Sequence, residues 1–159
     1  MTALILSSIP KKANIVRIHV GGDFFNQNYF NAWLSVAHAR NDVIFYAYTK
    51  SLKFWIERLH EIPFNFKMNA SRGGTYDYLI QLYGLKSAEV VFSEKEATDK
   101  GLEIDHDDTH AYLMDKPFAL LLHGAQPKGS VASKSISALR AKGIFGYQKG
   151  KGRVMEGAA

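Results

Sequence analysis

The chain has 159 residues, of which 47% are hydrophobic and 13% aromatic, and it carries a formal net charge of +5. This length and composition fit one globular domain with a substantial core and exclude a disordered chain. Cysteine is absent, which excludes disulfides, a thiolate nucleophile and a self-supplied iron–sulfur cluster of the usual all-cysteine kind. The first segment, MTALILSSIPKKA, has no basic residue before its apolar run and is too short to span a membrane, so we expect a cytoplasmic protein without membrane attachment.

Short apolar runs alternate with helical patterns along the chain. Apolar residues at helical spacing follow the first three runs, for example Phe30, Trp33, Leu34 and Ala37 after the first. This alternation is typical of right-handed βαβ units, so the sequence predicts an α/β fold with a mostly parallel sheet of about five strands and flanking helices. The segment from Ser130 to Lys142 is a further helix candidate. The predicted strands are Val16 to Val20, Val43 to Tyr48, Phe64 to Ala70, Val90 to Ser93 and Phe118 to His123.

The segment EIDHDDTH, from Glu103 to His110, is rich in carboxylates and histidines. His106 and His110 lie four residues apart, as two metal ligands on one helix would. Consecutive carboxylates disfavour a helix here. We therefore predict a solvated acidic loop.

The C-terminal part of the chain is basic. From Lys116 to Met155 it contains eight basic residues and no acidic one. We expect residues 1–143 to form a single α/β domain and residues 144–159 to form a basic, flexible tail. Because this arm mixes an aromatic ring with cations, nucleic acid or an acidic host protein is a candidate partner, and a merely soluble tail is the alternative. Its candidate contact residues are Lys142, Tyr147, Lys149, Lys151 and Arg153.

Polar side chains follow the predicted strands at the point where each strand ends. Because the carboxyl ends of parallel strands meet at one edge of a sheet, we expect these side chains to lie close together. In the stretch SRGGTYDYL, two glycines and Arg72 precede a predicted helix, an arrangement that can bind an anion through backbone N–H groups and the guanidinium. The stretch lacks the spacing of a Walker loop or a dinucleotide fingerprint. Helix capping, for instance by Asp23, is the alternative for each polar residue. The predicted pocket is lined by Gly21, Gly22, Asp23, Thr49, Lys50, Ser71, Arg72, Gly73, Glu94 and His123.

Five runs in order, RIHVGGDFF, NAWLSVA, VIFYAYTKS, NASRGGTYDYLI and DDTHAYLMDKPFALLLHG, resemble the second half of the phage "gene product 88" family. Those proteins resemble radical S-adenosylmethionine enzymes, with an N-terminal cysteine motif followed by a partial βα barrel. The resemblance implies an incomplete βα barrel in which Gly21, Gly22 and Asp23 occupy the strand-end position that meets the amino group of S-adenosylmethionine. It also implies that Thr49, Lys50 and Ser71 line the same cavity.

The absence of the cysteine motif leaves three interpretations open. The chain is a stand-alone half, or it is a fragment whose cluster region lies on another segment or chain, or it keeps the pocket without the chemistry. We expect a phage or mobile-element accessory protein, in the host cytoplasm if it is phage-encoded, that is more a binding protein than an enzyme as an isolated chain. The expected ligand is S-adenosylmethionine or a nucleoside-like molecule, with Asp23 receiving a cationic group and Arg72 or Lys50 an anionic one.

The predicted strand count has a consequence for assembly. A complete βα barrel needs more strands than the five visible in the sequence, so the sheet is expected to have open edges. The aromatic residues Trp33, Phe45, Tyr46, Phe54 and Trp55 are also a heavy load for so thin a sheet to shield. We therefore predict a homodimer. The alternative is that MTALILSSI forms an edge strand that covers one edge.

Overall fold

The computed structural model describes residues 1–122 and 128–144. Within these residues no helix is long and apolar enough to cross a membrane. A short 3₁₀ helix covers Leu59–Glu61. The strands are β1 (Ile15–Arg17), β2 (Ile44–Thr49), β3 (Phe66–Ser71), β4 (Ser87–Val91), β5 (Glu103–Asp105) and β6 (Phe118–Leu121). The helices are α1 (Thr2–Ser8), α2 (Gln27–Ala39), α3 (Leu52–Ile56), α4 (Tyr78–Leu82), α5 (Glu94–Asp99), α6 (Thr109–Leu113) and α7 (Val131–Ala141).

The six strands form one parallel sheet in the order β1-β2-β3-β4-β6-β5, which curls into a half barrel. The predicted α/β class is therefore confirmed, with one strand more than expected. The extra strand is β5, in the segment that was predicted to be a solvated acidic loop. That prediction was wrong because Ile104 packs against a hydrophobic cluster and Asp105 is only 2% exposed.

The strand order explains why the two faces of the sheet are covered differently. Each connection from β1 to β4 moves one strand along the sheet, whereas the connection from β5 to β6 steps back. Right-handed crossovers that run in opposite directions place their helices on opposite faces. Accordingly, α6 lies against β2 and β3 on what we call the inner face, whereas α2 to α5 cover the outer face.

The outer face holds the main core. Phe45 and Ala47 of β2 are fully buried there against Phe30 of α2. Trp33 and Trp55 lie in the same core at 8% and 6% exposure, and Tyr46 is covered on the inner face at 7%. The aromatic argument for the predicted dimer is therefore wrong, because one chain buries four of the five rings by itself and half-buries Phe54. The argument from open sheet edges is not affected. The dimer remains a prediction that light scattering tests.

The N-terminal segment MTALILSSI forms α1, so the edge strand that was the alternative to the dimer is not present there. Ile5 and Ile9 lie one helical turn apart, so a helix turns both toward the main core. The hydroxyl groups of Ser7 and Ser8 donate to carbonyl groups one turn earlier. By contrast, the helix predicted from Ser130 to Lys142 is confirmed as α7.

Several strand ends differ from the prediction. Val20 and Phe64 are 90% and 78% exposed and lie outside β1 and β3. Strand β4 begins earlier, at Ser87, because its first residues pair with the last residues of β3. The carboxyl end of β3 is consequently level with the start of β4, and this stagger shapes the candidate site.

Candidate functional site

Asp23 joins the loops that follow β1 and β2 at the carboxyl edge of the sheet. Its Oδ1 accepts hydrogen bonds from the Phe24 N–H (2.7 Å) and the Thr49 hydroxyl (2.5 Å), and its Oδ2 accepts one from the Lys50 N–H (2.7 Å). Gly22, with a φ of +84°, provides the left-handed turn just before it. The predicted capping role is wrong, because the N-cap of α2 is Asn26, whose side chain accepts from the Tyr29 N–H (2.8 Å).

The glycine turn after β3 is occupied by a carboxylate of the same chain. The N–H groups of Gly73 and Gly74 donate to Asp77 at 2.8 and 2.9 Å, so Asp77 takes the place of the expected external anion. The Lys50 ammonium donates to the Gly73 carbonyl at 3.3 Å. A Cβ on Gly74 would lie 3.3 Å from the Lys50 Cβ, so glycine lets the two loops approach closely. The structure thus brings Asp23, Thr49, Lys50 and Gly73 into one network.

A cavity of about 410 Å³ lies at the step where β3 ends beside the start of β4. Ala70 pairs with Ser87 at this step, and the Arg72 N–H donates to the Ala88 carbonyl at 3.0 Å. The volume falls within the range of about 300–1,000 Å³ that is usual for small-molecule sites. Its walls are formed by Arg72, Ser87, Glu89, Lys100, Leu102, Pro117 and Phe118.

Two cations and one carboxylate line this cavity. Glu89 Oε2 lies 3.8 Å from Arg72 Nε, and the same carboxylate binds the Lys100 ammonium. Lys100 is also 2.9 Å from Glu96, and hydrogen bonds to Glu89 and Glu96 raise its pKa. Lys100 therefore stays charged and paired, whereas Arg72 is 41% exposed and only loosely paired. The lining carries a net positive charge.

The other residues of the predicted pocket lie apart from this cavity. Gly21 is exposed beside Gly22, Ser71 is half-buried at the end of β3, and Glu94 is exposed at the start of α5.

Of the candidate nucleic-acid contacts in the basic arm, Lys142 is exposed just after α7. His123, Tyr147, Lys149, Lys151 and Arg153 lie outside the described residues.

A buried polar cluster on the inner face was not predicted from the sequence. Asp108 is 5% exposed and accepts hydrogen bonds from the hydroxyl groups of Tyr46 (2.7 Å) and Tyr48 (2.8 Å) and from Arg17 Nη1 (3.1 Å). Burial, reinforced by the charge of Asp108, raises the pKa of Tyr48, so its hydroxyl remains a donor. The alternation in IFYAYT does place both tyrosines on one face. Nothing in the local pattern, however, indicates that Asp108 reaches them.

Metal-ligating side chains do not converge in the part of the chain that the structure describes. No group of three or more histidine, aspartate or glutamate side chains is placed to hold a metal ion there. His106 and His110 do not share a helix, because α6 begins at Thr109.

Comparison with known proteins identifies the family. No curated protein and no solved structure matches this chain. The family model described as gene product 88 matches residues 1–142, which include every strand of the half barrel and both candidate ligand regions. Since this match spans most of the sequence, the chain belongs to the phage gene product 88 family.

Proposed function

We propose that this phage accessory protein binds a small ligand in the cavity beside Arg72, where the carboxyl end of β3 meets the amino ends of β4 and β6. The observation that carries this proposal is the cavity of about 410 Å³ at the end of β3, lined by Arg72, Lys100 and Glu89. Ligands of open α/β sheets bind outside the carboxyl ends of strands, and this cavity adjoins the carboxyl end of β3. Its other walls lie at the amino ends of β4, β5 and β6, which the stagger of the sheet brings level with that end.

The charges of the lining select the chemistry of the ligand. Within the described part of the chain, the ion pair of the Arg72 guanidinium is a loose contact of 3.8 Å with Glu89, and the side chain is 41% exposed, so its fork of donors can receive a carboxylate or phosphate group. Glu89 is an acceptor for ammonium or hydroxyl groups on the same ligand. S-adenosylmethionine and nucleotides carry these groups.

Asp23 has a positioning role in this proposal. Its carboxylate already accepts three hydrogen bonds, which leaves it poorly suited to receive a ligand's cationic group. Through the Lys50 N–H it fixes the loop that carries the Lys50 side chain over Gly73. Among the described residues no carboxylate lies within 4.0 Å of the Lys50 ammonium, so Lys50 is a second candidate for an anionic group.

We assign no reaction to the isolated chain. A radical-enzyme origin rests only on the resemblance of the gene product 88 family to radical S-adenosylmethionine enzymes, for which the runs ending GDFF and FYAYTK are the most specific parts. Because the sequence has no cysteine, any iron–sulfur cluster of the usual kind would have to be held by another segment or chain. Binding is therefore the property to be measured first.

Calorimetric titration tests the proposal with four probes: S-adenosylmethionine, S-adenosylhomocysteine, adenosine and adenosine monophosphate. Loss of a charged, bidentate hydrogen bond costs about 1.5–3 kcal/mol, so Arg72→Gln should weaken binding of an anionic probe about 10- to 100-fold. Arg140→Gln is the matched control, because Arg140 is exposed on α7. Lys50→Gln measures the contribution of the second cation. Absence of binding by all four probes, or equal effects of Arg72→Gln and Arg140→Gln, would refute the site.

Nucleic-acid binding by the basic arm is a second candidate function. It is favoured by the eight basic residues between Lys116 and Met155, a stretch without a single acidic residue. Truncation after Gly143 should preserve the fold, weaken binding to single-stranded nucleic acid and reduce the salt dependence by about one unit for each phosphate group that the arm no longer neutralises. Equal low-salt affinity of the truncated and full-length chains would remove the arm from this role.

A further inference from the structure

Exposed aromatic and aliphatic side chains lie on α4, the helix that follows β3. Tyr78 at the start of this helix is 62% exposed, and Leu82, one helical turn later on the same side, is 68% exposed. The ring of Tyr76 packs against the main core and meets the Tyr78 ring edge-on, with centroids 6.5 Å apart and an angle of 66° between the ring planes. Contiguous apolar surface that stays exposed in this way is typical of an interaction site.

Lys53 of α3 joins this surface. Its ammonium lies 4.2 Å from the centroid of the Tyr76 ring, which is a cation–π contact. A hydrogen bond to Tyr76 and the proximity of Tyr78 raise the pKa of Lys53, so the cation stays charged beside both rings. We call Tyr76, Tyr78, Leu82 and Lys53 the tyrosine patch.

Further cations flank the tyrosine patch. Lys50 donates to a carbonyl group of the glycine turn after β3, and the carboxylate of Asp77 is turned toward the N–H groups of the same turn. On α3, at its two ends and in the glycine turn, all of which the structure describes, the exposed charges are three cations and one carboxylate: Lys50, Lys53, Arg72 and Glu57. The net charge of +5 on the whole chain also attracts polyanions.

We propose that the tyrosine patch is a stacking platform for single-stranded nucleic acid. A base stacks on the exposed ring of Tyr78, and the ammonium groups of Lys53 and Lys50 contact phosphate groups. Proteins that bind single strands combine aromatic side chains for the bases with cations for the backbone. Lysine is depleted in protein–protein interfaces, so a protein partner or a second copy of this chain fits the patch less well. The inference rests neither on a ligand in the cavity nor on binding by the basic arm.

Fluorescence anisotropy with the full-length chain tests the proposal. The probes are an oligodeoxythymidine of about 12 nucleotides and an abasic oligomer of the same length, which has the phosphate groups without the bases. Tyr78→Ala should weaken binding of the oligodeoxythymidine about 5- to 150-fold, the effect of losing one stacked base, whereas Tyr78→Phe should retain the wild-type affinity. Phe64→Ala is the matched control, because Phe64 is an exposed ring that precedes β3 at the opposite edge of the sheet.

The salt dependence of binding separates the cation from the rings. Lys53→Gln should reduce the salt slope by about one unit, whereas Lys12→Gln, at an exposed position before β1, should leave the slope unchanged. Equal affinity of Tyr78→Ala and the wild type, equal affinity for the two oligomers, or no binding by the full-length chain would overturn the proposal. An effect of Tyr78→Ala on the mass measured by light scattering, without one on oligomer binding, would assign the patch to a second copy instead.

Discussion

Substitution of Asp108 should be among the most destabilising changes on the inner face. Its carboxylate is the common acceptor for Tyr46, Tyr48 and Arg17, and it sits at the start of α6 with a φ of +67°. Asp108→Ala removes all three hydrogen bonds and places a Cβ-bearing residue with no polar side chain in the left-handed region. Asp108→Asn keeps one acceptor oxygen and a residue type that tolerates this conformation.

The magnitude follows from the burial of each donor. Tyr46 is 7% exposed, so loss of the hydrogen bond from its buried hydroxyl to Asp108 costs about 1–3 kcal/mol. The Arg17 side chain is 33% exposed and can be rehydrated, so its share is at most about 1 kcal/mol. The left-handed backbone adds about 1–2 kcal/mol for alanine. We therefore expect a loss of about 4 kcal/mol in the free energy of unfolding for Asp108→Ala and about 2 kcal/mol for Asp108→Asn.

Urea unfolding followed by the fluorescence of the buried tryptophans measures these losses. Asp115→Ala is the control, because the Asp115 side chain is 89% exposed and its substitution should change stability by less than about 0.5 kcal/mol. If Asp108→Ala does not fold, Tyr48→Phe should still cost about 1 kcal/mol. A loss below about 1 kcal/mol for Asp108→Ala, with an unchanged dependence on urea, would refute the assignment of Asp108 as the acceptor that holds the inner face together.

Three further predictions concern the two strand-end loops, a buried amine and the assembly. Asp23→Asn should lower the free energy of unfolding by about 1–2 kcal/mol, because an amide cannot accept all three hydrogen bonds that the carboxylate accepts. An unchanged free energy of unfolding together with abolished ligand binding would instead make Asp23 a ligand-binding residue. Burial lowers the pKa of Lys86 to about 8. Above pH 8 the unfolded chain therefore keeps a proton on this amine that the folded chain releases, and the free energy of unfolding should rise by up to about 1 kcal/mol for each pH unit. Lys86→Gln should lack this rise in urea titrations between about pH 8 and 9.5, and an identical rise in the variant would contradict the assignment. Light scattering should return twice the 17.8 kDa mass of the chain if the open sheet edges pair, whereas a monomer mass at all micromolar concentrations would exclude the dimer.

Much of the architecture was predictable from local sequence patterns. The apolar runs of β2 and β6 and the helical spacing of Phe30, Trp33 and Leu34 report burial directly, because each element turns a regular set of side chains toward the core. The strand-end position of Asp23 and Thr49 was predictable for the same reason, since it depends on where the runs stop. Membership of the gene product 88 family is likewise a property of the sequence.

The remaining features depend on contacts between distant residues. Strand β5 has three residues and two acidic side chains, so it carries no periodic signal of its own. It forms because it pairs with β6 and because Ile104 packs against the cluster that includes Ala97 and Leu139. Arg17 and Asp108 are 91 residues apart, and they meet because the backward step from β5 to β6 places α6 on the inner face. The cavity beside Arg72 likewise exists because β4 begins level with the end of β3. The sequence by itself determined which segments are apolar and at what spacing, whereas strand order and stagger decided which polar groups share a site, because register is set by the packing of the whole sheet.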